Sequence, residues 1–309
     1  MSLFQMSVAG GVLILFIVVI RALAIHRLPK TTFLALWMIA ALRLLLPLSI
    51  PMPFKIHIDL DVFSDVVQKL PSGNIGFPIP GESRHAYDTG AVVSSPAAER
   101  ISIFVILWLV GVLLLALYFS ISYLRSMRKF RMSVPDNTPY IREWLNAHQI
   151  VRPIEVRSSD LISSPLTYGI LHPVILLPKK LDRNDQAALQ YVLTHEYVHI
   201  RRFDAITKIL FAAVLCIHWF NPLVWVMYVL ANRDIELSCD AWVIRMMGEK
   251  NRSSYALMLI KMEERRSGMS ALYSHFGKNA ISERIEAIMK FKKTSILACT
   301  LALALIAGA

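Results

Sequence analysis

The sequence predicts a mainly α-helical polytopic membrane protein with a small α+β domain on the cytoplasmic side. Three observations support this prediction. Hydrophobic residues make up 55% of the chain and the mean hydropathy is +0.51, so the chain is more apolar than an ordinary soluble domain. Three apolar stretches are long enough to cross a bilayer. The segment 125–293 that follows them has room for a folded domain.

The apolar stretches are taken as membrane helices because a span needs about 20 mostly apolar residues. Residues 1–50 hold two predicted helices, over 3–25 and 33–50, joined by a short basic loop. A third is predicted over 101–124, and residues 294–309 start a fourth helix that we expect to be truncated. Arg21 is close enough to the cytoplasmic end to reach the lipid surface. Arg43 lies nearer the middle, where it is a candidate for signal transmission between spans or for a merely structural contact.

Charges beside the spans predict the orientation of the chain. Lysine and arginine residues follow the first and third spans, and short loops rich in these residues stay in the cytoplasm. The loop 51–100 holds more acidic than basic residues, so we expect this loop and the N-terminus outside the cell. The basic clusters behind the net charge of +11 flank apolar spans, where they face anionic lipid. We therefore expect membrane lipid as a partner and no direct nucleic-acid binding, since no groove-reading motif is present.

The cytoplasmic segment contains His195, Glu196 and His199 in the pattern HExxH. Residues four apart lie on one face of a helix, so both imidazoles can reach one metal ion while Glu196 points into the same space. Asp182 and Asp185 supply acceptors for a helix N-terminus, and apolar residues follow at helical spacing. The alternative is a pair of surface histidines on an amphipathic helix. A catalytic zinc ion needs three protein ligands and an open position, so the motif predicts a third ligand.

A second polar pair lies downstream, where Glu236 and Asp240 are again four residues apart on a segment of helical periodicity. Glu236 can complete a zinc site, and Asp240 can accept a hydrogen bond from the far nitrogen of a ligating histidine. The alternative is a solvated acidic helix face. Cys239 is predicted to be a small packed residue, because a fourth protein ligand would close the position that water needs.

Residues 206–231 separate the two halves of this site and are almost wholly apolar. A single membrane crossing would place Glu236 on the opposite side from His195, which a shared metal ion forbids. The segment is therefore predicted to turn back near Asn221 and Pro222. We favour a membrane-embedded hairpin over a buried one. His218 within it is predicted to be a hydrogen-bonded packing residue and not a ligand.

Three runs of sequence carry a resemblance to a known family: HEYVHIRRFD, HWFNPLVW and RDIELSCD. Together they closely resemble the BlaR/MecR-type sensor-transducer family of membrane zinc metallopeptidases, which are gluzincins. The resemblance covers most of the chain, from the first apolar segment to about Lys293. It implies a gluzincin-type zinc peptidase domain on the cytoplasmic side, with zinc (Zn2+) as the cofactor.

The resemblance assigns the same roles to the site residues as the spacing does. His195, His199 and Glu236 would bind the metal, and Glu196 would be the catalytic base. Asp240 would orient a ligand from behind. Arg233 matches an arginine of related membrane peptidases, and it would steady Glu236 or the substrate, with an ordinary helix-surface arginine as the alternative. Tyr197, Tyr228 and Arg233 are candidate oxyanion donors that the sequence leaves unranked.

A small sheet is predicted before the HExxH helix. Residues 154–157 and 168–177 have the composition of strands, with breaks at 163–165 and at His172 and Pro173. In gluzincins, an edge strand beside the zinc ion holds the substrate backbone by strand addition. Residues 165–169 are the candidate for this edge, and an ordinary hairpin explains them equally well.

Partners and function also follow from the resemblance, because the family relays detection of a beta-lactam to a DNA-binding repressor. It implies an integral-membrane zinc metalloendopeptidase of a bacterial cell membrane that cleaves a cytoplasmic protein, a transcriptional repressor, in an antibiotic or cell-wall stress response. Cleavage of the chain itself is a further option. We expect the penicillin-binding sensor domain of the family to be absent or to lie outside this sequence. A membrane quality-control protease and a non-catalytic signalling scaffold with a vestigial zinc site remain alternatives, and the oligomeric state, a homodimer included, stays open.

Overall fold

The computed structural model describes residues 3–25, 28–46, 103–267 and 274–290. The predicted outer loop 51–100 and the predicted fourth helix from 294 onward lie outside these residues. Within them, helices dominate and one four-stranded sheet is present, which confirms a mainly α-helical chain with a small α+β part.

Three apolar helices come first in the described chain: α1 (Leu3–Ala24), α2 (Lys30–Leu45) and α3 (Ile103–Arg131). α1 and α3 are long and apolar enough to be candidate membrane spans. α2 has 16 residues, fewer than the roughly 20 that a span needs. α3 continues seven residues past the predicted end at 124, because its basic last turns stay helical. No residue of α3 is buried, as expected for a helix whose apolar surface meets lipid.

The sheet of the small domain is built from four short strands and precedes the HExxH helix. The four strands are β1 (Val134–Pro135), β2 (Glu155–Ser159), β3 (Leu166–Tyr168) and β4 (Val174–Pro178). Their order is β1-β2-β4-β3, so β3 lies at an edge of the sheet, and it also forms an antiparallel hairpin with β4, which was the alternative. β2 and β4 run parallel, with Val156 opposite Ile175, and the other two pairs are antiparallel. Gly169 has φ +84 at the turn after β3, where an added Cβ would lie 2.3 Å from the carbonyl oxygen of His172. The helix α4 (Pro139–Ala147) lies between β1 and β2 in the chain.

In the described part of the chain, the sheet is followed by the helices α5 (Gln186–Arg201), α6 (Asp204–Ile217), α7 (Pro222–Met247), α8 (Arg252–Ser267) and α9 (Ser274–Met289). α6 and α7 form a helical hairpin that reverses at 218–221, which confirms the predicted turn. Asn221 caps α7, since its side chain accepts a hydrogen bond from the Leu223 amide at 2.9 Å. His218 is fully buried at the turn, with Nε2 3.0 Å from the carbonyl oxygen of Leu44, so its predicted packing role is confirmed.

The described residues form two apolar cores, and α7 contributes to both. The first core lies between α1, α2, α6 and the N-terminal half of α7, and it includes Trp37, Phe211 and Met227. The second lies between the sheet, α4, α5, α8, α9 and the C-terminal half of α7. α7 therefore joins the apolar helices to the small domain as one continuous rod.

The prediction for Arg21 is wrong, since this residue does not extend toward the lipid surface. Its side chain is only 11% exposed, and Nε lies 3.0 Å from each carboxylate oxygen of Asp234 on α7. The packing of α1 against α7 explains the difference, because it supplies a buried carboxylate 213 residues away in sequence. Arg43 is half-exposed on α2.

Candidate metal centre

α5 brings the two histidines of HExxH together at its C-terminal end. Asp185 caps the start of the helix by accepting a hydrogen bond from the Ala188 amide at 2.9 Å. Two turns later the Nε2 atoms of His195 and His199 lie 3.1 Å apart. Each imidazole is only 11% exposed, so these are not histidines of a solvated helix face.

Glu236 joins the two histidines from α7. Its Oε2 atom lies 3.5 Å from Nε2 of His195 and 3.6 Å from Nε2 of His199. Tetrahedral zinc with bonds of about 2.0–2.1 Å holds its ligand atoms roughly 3.3 Å apart. The three atoms form a triangle of that size, so the donor set fits one zinc ion with a fourth position left for water.

A backbone break after α5 sets up this convergence. Phe203 adopts φ 57, a left-handed conformation that non-glycine residues rarely take, and α6 starts in a new direction at Asp204. Arg152 stacks 3.8 Å over the Phe203 ring and donates hydrogen bonds to the carbonyl oxygens of Ile170 and Ile200. These contacts fasten the end of α5 to the loop after β3. The hairpin of α6 and α7 then returns Glu236 to the histidines.

His199 is oriented by a residue that the sequence analysis missed. Its Nδ1 atom lies 2.7 Å from Oδ2 of Asp204, which is 2% exposed. Because the carboxylate accepts a hydrogen bond from the Nδ1–H group, the proton of the neutral imidazole stays on Nδ1. The lone pair of Nε2 is then directed at the metal position. The break at Phe203 moves Asp204 off the helical spacing, so periodicity could not reveal it. Its only signal was its place in the run HEYVHIRRFD.

His195 is oriented through a longer chain of hydrogen bonds than the sequence predicts. Nδ1 of His195 lies 2.9 Å from the hydroxyl of Tyr255, which donates at 2.6 Å to Oδ1 of Asp240. The direct distance from Nδ1 to Asp240 is 3.4 Å. Burial raises the pKa of Tyr255 well above its ordinary value, so the phenol keeps its proton. Asp240 thus lies behind His195, as predicted, with Tyr255 on α8 between them.

Two cations hold Glu236 and Asp240 of α7. Arg284 on α9 donates from Nε and Nη2 to Asp240 at 2.8 and 2.7 Å, and its Nη1 lies 3.8 Å from Glu236. Lys208 on α6 lies 3.3 Å from the other oxygen of Glu236. Burial alone would raise the pKa of Glu236, but His199 and Lys208 lower it well below its usual range. For Asp240 too, burial acts upward while Arg284 lowers the pKa below its ordinary value. Both groups are therefore carboxylates at neutral pH.

Three candidate residues of the sequence analysis lie elsewhere. Arg233 lies 4.0 Å from Glu283, whereas Lys208 and Arg284 contact Glu236. Tyr197 packs edge-on against Trp144, and Tyr228 packs near Phe119. None of the three lines the cavity at the centre, and their role as oxyanion donors stays a prediction.

Cys239 offers a second, looser set of metal ligands with the two histidines. Single ligand atoms of His195, His199 and Cys239 all lie within 4.8 Å of one another. However, Sγ is 3.6 Å from Nδ1 of His195 and 3.4 Å from its backbone oxygen, behind the ring. Glu236 instead approaches both Nε2 atoms, where the two rings meet. We therefore take Glu236 as the better third ligand.

A cavity of about 520 Å³ opens in front of the three ligand atoms. Glu196 lies in its wall and accepts a 2.5 Å hydrogen bond from the Thr167 hydroxyl of edge strand β3. Sequence reasoning missed Thr167 as a partner of Glu196, although it lies within the predicted edge 165–169. Apolar side chains also line the cavity, among them Val192, Met258, Leu259, Met262 and Ile281. The cavity thus brings together the HExxH glutamate, the triangle of the three candidate ligand atoms and edge strand β3.

The site combines a helix with two facing histidines, a glutamate that approaches both of them and an adjacent edge strand. These are the features of a metallopeptidase. Candidate membrane helices on the same chain make this a membrane-associated member of the class. Residues 1–288 match the family model described as BlaR1 peptidase M56, so the chain belongs to this family.

Curated relatives agree with this family. Regulatory protein BlaR1 of Bacillus licheniformis is 29% identical over 208 residues, which are 63% of this chain and 34% of that protein. Methicillin resistance mecR1 protein of Staphylococcus aureus is 24% identical over 193 residues, 59% of this chain and 33% of that protein. Regulatory protein BlaR1 of Staphylococcus aureus is 27% identical over 155 residues, 49% and 26% of the two chains. The match thus spans about a third or less of the length of these relatives.

Proposed function

We propose that this chain is a polytopic, integral-membrane zinc metalloendopeptidase of the gluzincin type. The observation that carries the proposal is the triangle of His195 Nε2, His199 Nε2 and Glu236 Oε2, with sides of 3.1, 3.5 and 3.6 Å. Three such ligands suit a catalytic rather than a structural site, because a structural zinc ion takes four protein ligands. Bound zinc would lower the pKa of a water molecule to about 7.

Glu196 is the general base in this proposal. It takes the proton of the attacking water and passes it to the departing amine, a role that requires a carboxylate beside the metal position. The hydrogen bond from Thr167 fixes the orientation of the Glu196 carboxylate. The Nδ1 atom of His199 donates to Asp204, and the Nδ1 atom of His195 donates to Tyr255, which is held by Asp240. Both Nε2 atoms therefore stay available as ligands.

The substrate binds as an added strand on β3. An edge strand offers free main-chain groups to an extended peptide, and the flanks of β3 line the cavity. A peptide in this position would cross in front of Glu196, since Thr167 links β3 to that carboxylate. The apolar wall formed by Val192, Met258 and Leu259 then receives a side chain next to the cleaved bond.

The relatives indicate the biological role. They are named as regulatory and methicillin-resistance proteins. We infer that this chain cleaves a cytoplasmic DNA-binding repressor, and its own chain as a second substrate, in a beta-lactam or cell-wall stress response. In this arrangement the N-terminus lies outside the cell membrane, and residues 125–293 face the cytoplasm with the 206–231 hairpin embedded from that side.

Replacement of the base tests the proposal and separates it from a scaffold. Zinc-loaded full-length protein in detergent is incubated with labelled β-casein, and fragments of both casein and the chain itself are counted. Glu196→Ala should lower the cleavage rate by about 10²–10⁴-fold, because proton transfer is lost, while bound zinc stays stoichiometric. The control Glu155→Ala removes a half-exposed carboxylate of β2 and should cleave like wild type.

Two outcomes would contradict the proposal. Equal cleavage by wild type and Glu196→Ala would show that HExxH does not act as a base. Absence of any cleavage by zinc-loaded wild type would favour the scaffold.

A further inference from the structure

A second buried polar cluster lies outside the metal centre, where α1, α2, α7 and α9 meet. We call Arg21, Trp37, Asp234 and Glu283 the membrane-side cluster. Arg21 binds Asp234 through Nε and reaches Glu283 through Nη2 at 2.6 Å. Trp37 of α2 donates to Asp234 at 2.7 Å. One carboxylate of α7 and one of α9 are thereby joined to both N-terminal helices.

The membrane-side cluster is too costly to be incidental. Asp234 is fully buried and Arg21 is 9% exposed. Charges removed from water are retained only when they are paired and hydrogen-bonded. Asp234 receives hydrogen bonds from both Arg21 and Trp37. The geometry of the four helices is therefore tightly specified at this point.

α9 connects the membrane-side cluster to the metal centre through two adjacent residues. Glu283 points to Arg21, whereas Arg284 points to Asp240 and Glu236. Neighbouring residues on a helix differ by about 100° in direction, so a rotation or slide of α9 that releases one contact also disturbs the other. α7 is divided in the same way, since Asp234 faces the membrane-side cluster and Glu236 faces the histidines.

We propose that Glu283 is a positioning residue: anchored by Arg21 of α1, it fixes α9 so that Arg284 holds Asp240 and Glu236 in the geometry that binds the metal ion. This inference rests on the proposed zinc site. Its consequence is that a shift of α1 relative to α9 moves Arg284 against the two carboxylates. The apolar helices and the metal centre are then coupled through the ion pairs that Glu283 and Arg284 form on two faces of α9.

Metal affinity provides a test that does not depend on proteolysis. Full-length wild type, Glu283→Gln and Glu249→Gln are compared in detergent for zinc affinity, by chelator competition, and for the visible spectrum of the Co²⁺-substituted protein. Glu249→Gln is the matched control, because it removes an acidic partner of Arg252 that is half-exposed between α7 and α8. Residues that orient ligands typically contribute about 10–100-fold in affinity. Because Glu283 acts on the ligands only through Arg284, Glu283→Gln should weaken zinc binding by a smaller factor, about 3- to 10-fold, and alter the Co²⁺ bands. Glu249→Gln should change neither.

A double variant shows whether Glu283 acts through Arg284. In an Arg284→Lys background, Glu283→Gln should cause no further loss of zinc affinity, because the group that it positions is already altered. A purely structural role would give equal losses in both backgrounds. If Glu283→Gln is not recovered folded, Glu283→Asp gives the same comparison, since it keeps the charge but shortens the reach to Arg21.

The outcomes separate this inference from the proposed function. Equal zinc affinities and equal Co²⁺ spectra for Glu283→Gln and Glu249→Gln overturn the inference while the proposed function stands. Failure of wild type to bind zinc overturns the proposed function, and the inference falls with it. Zinc binding without proteolysis, together with the expected loss in Glu283→Gln, overturns the peptidase proposal alone.

Discussion

The metal centre and the membrane-side cluster differ in how completely their polar atoms are used, although both draw residues from α7 and α9. In the membrane-side cluster, Arg21 and Trp37 saturate the fully buried Asp234. In the metal centre, the three ligand atoms of His195, His199 and Glu236 lie 3.1 to 3.6 Å from one another and open onto a cavity. A closed cluster stabilises and positions helices, while an open one leaves lone pairs for a cation.

This comparison also explains why α7 tolerates so many acidic residues. Asp234, Glu236 and Asp240 lie within two turns of one helix, and all three have low exposure. Each carboxylate has a cation from a different element: Arg21 from α1, Lys208 from α6 and Arg284 from α9. Buried carboxylates require such partners. The acidic stretch of α7 is therefore a point where the two cores of the molecule are tied together.

The largest effect is expected on stability, when Asp234 is removed from the membrane-side cluster. Asp234→Ala leaves the Arg21 guanidinium buried without its main partner, and loss of one member of a buried pair costs about 3–5 kcal/mol. We expect the free energy of unfolding to fall by this amount, as measured by denaturation in detergent. The control Asp160→Ala removes an exposed partner of Lys179 and should cost at most about 1 kcal/mol. Equal stabilities of the two variants would mean that the membrane-side cluster contributes no specific stabilisation.

A second comparison tests which residue of the metal centre is the third ligand. Glu236→Ala should weaken zinc binding by more than about 100-fold, above the loss caused by removing an orienting residue. Cys239→Ser should bind zinc like wild type, because the Cys239 sulfur lies behind His195. Metal content after dialysis against a weak chelator measures both. Zinc retention by Glu236→Ala with loss in Cys239→Ser would reverse the assignment.

The sequence predicted the parts of the metal centre that follow from spacing within one helix. HExxH predicted one face of α5, and the requirement for a third ligand pointed to Glu236. The reversal near Asn221 and Pro222 followed because the shared metal ion excludes a single crossing. These predictions needed only periodicity and coordination chemistry.

Partners that depend on tertiary packing could not be predicted in this way. Tyr255 and Arg284 reach the centre from α8 and α9, and their positions follow no motif. Arg21 seemed, from its place near a helix end, to be a residue that extends to lipid, yet its partners are 213 and 262 residues away. Only the packing of α1 on α7 and α9 supplies these partners.

Among the replacements of Asp234, Glu236 and Asp204, the smallest effect is expected for Asp204. The left-handed conformation of Phe203 places Asp204 against His199. Asp204→Asn keeps the size of the side chain but replaces the charged acceptor of the Nδ1 proton with a neutral amide. The imidazole then loses part of its basicity and its fixed orientation, so zinc affinity should fall by about 10–100-fold. Asp182→Asn, an exposed change in the loop before α5, is the control. The same loss in both variants, or none in either, would mean that Asp204 does not orient His199. A loss confined to Asp204→Asn would show that the open cluster relies on its outer carboxylate for affinity, whereas the membrane-side cluster relies on Asp234 for stability.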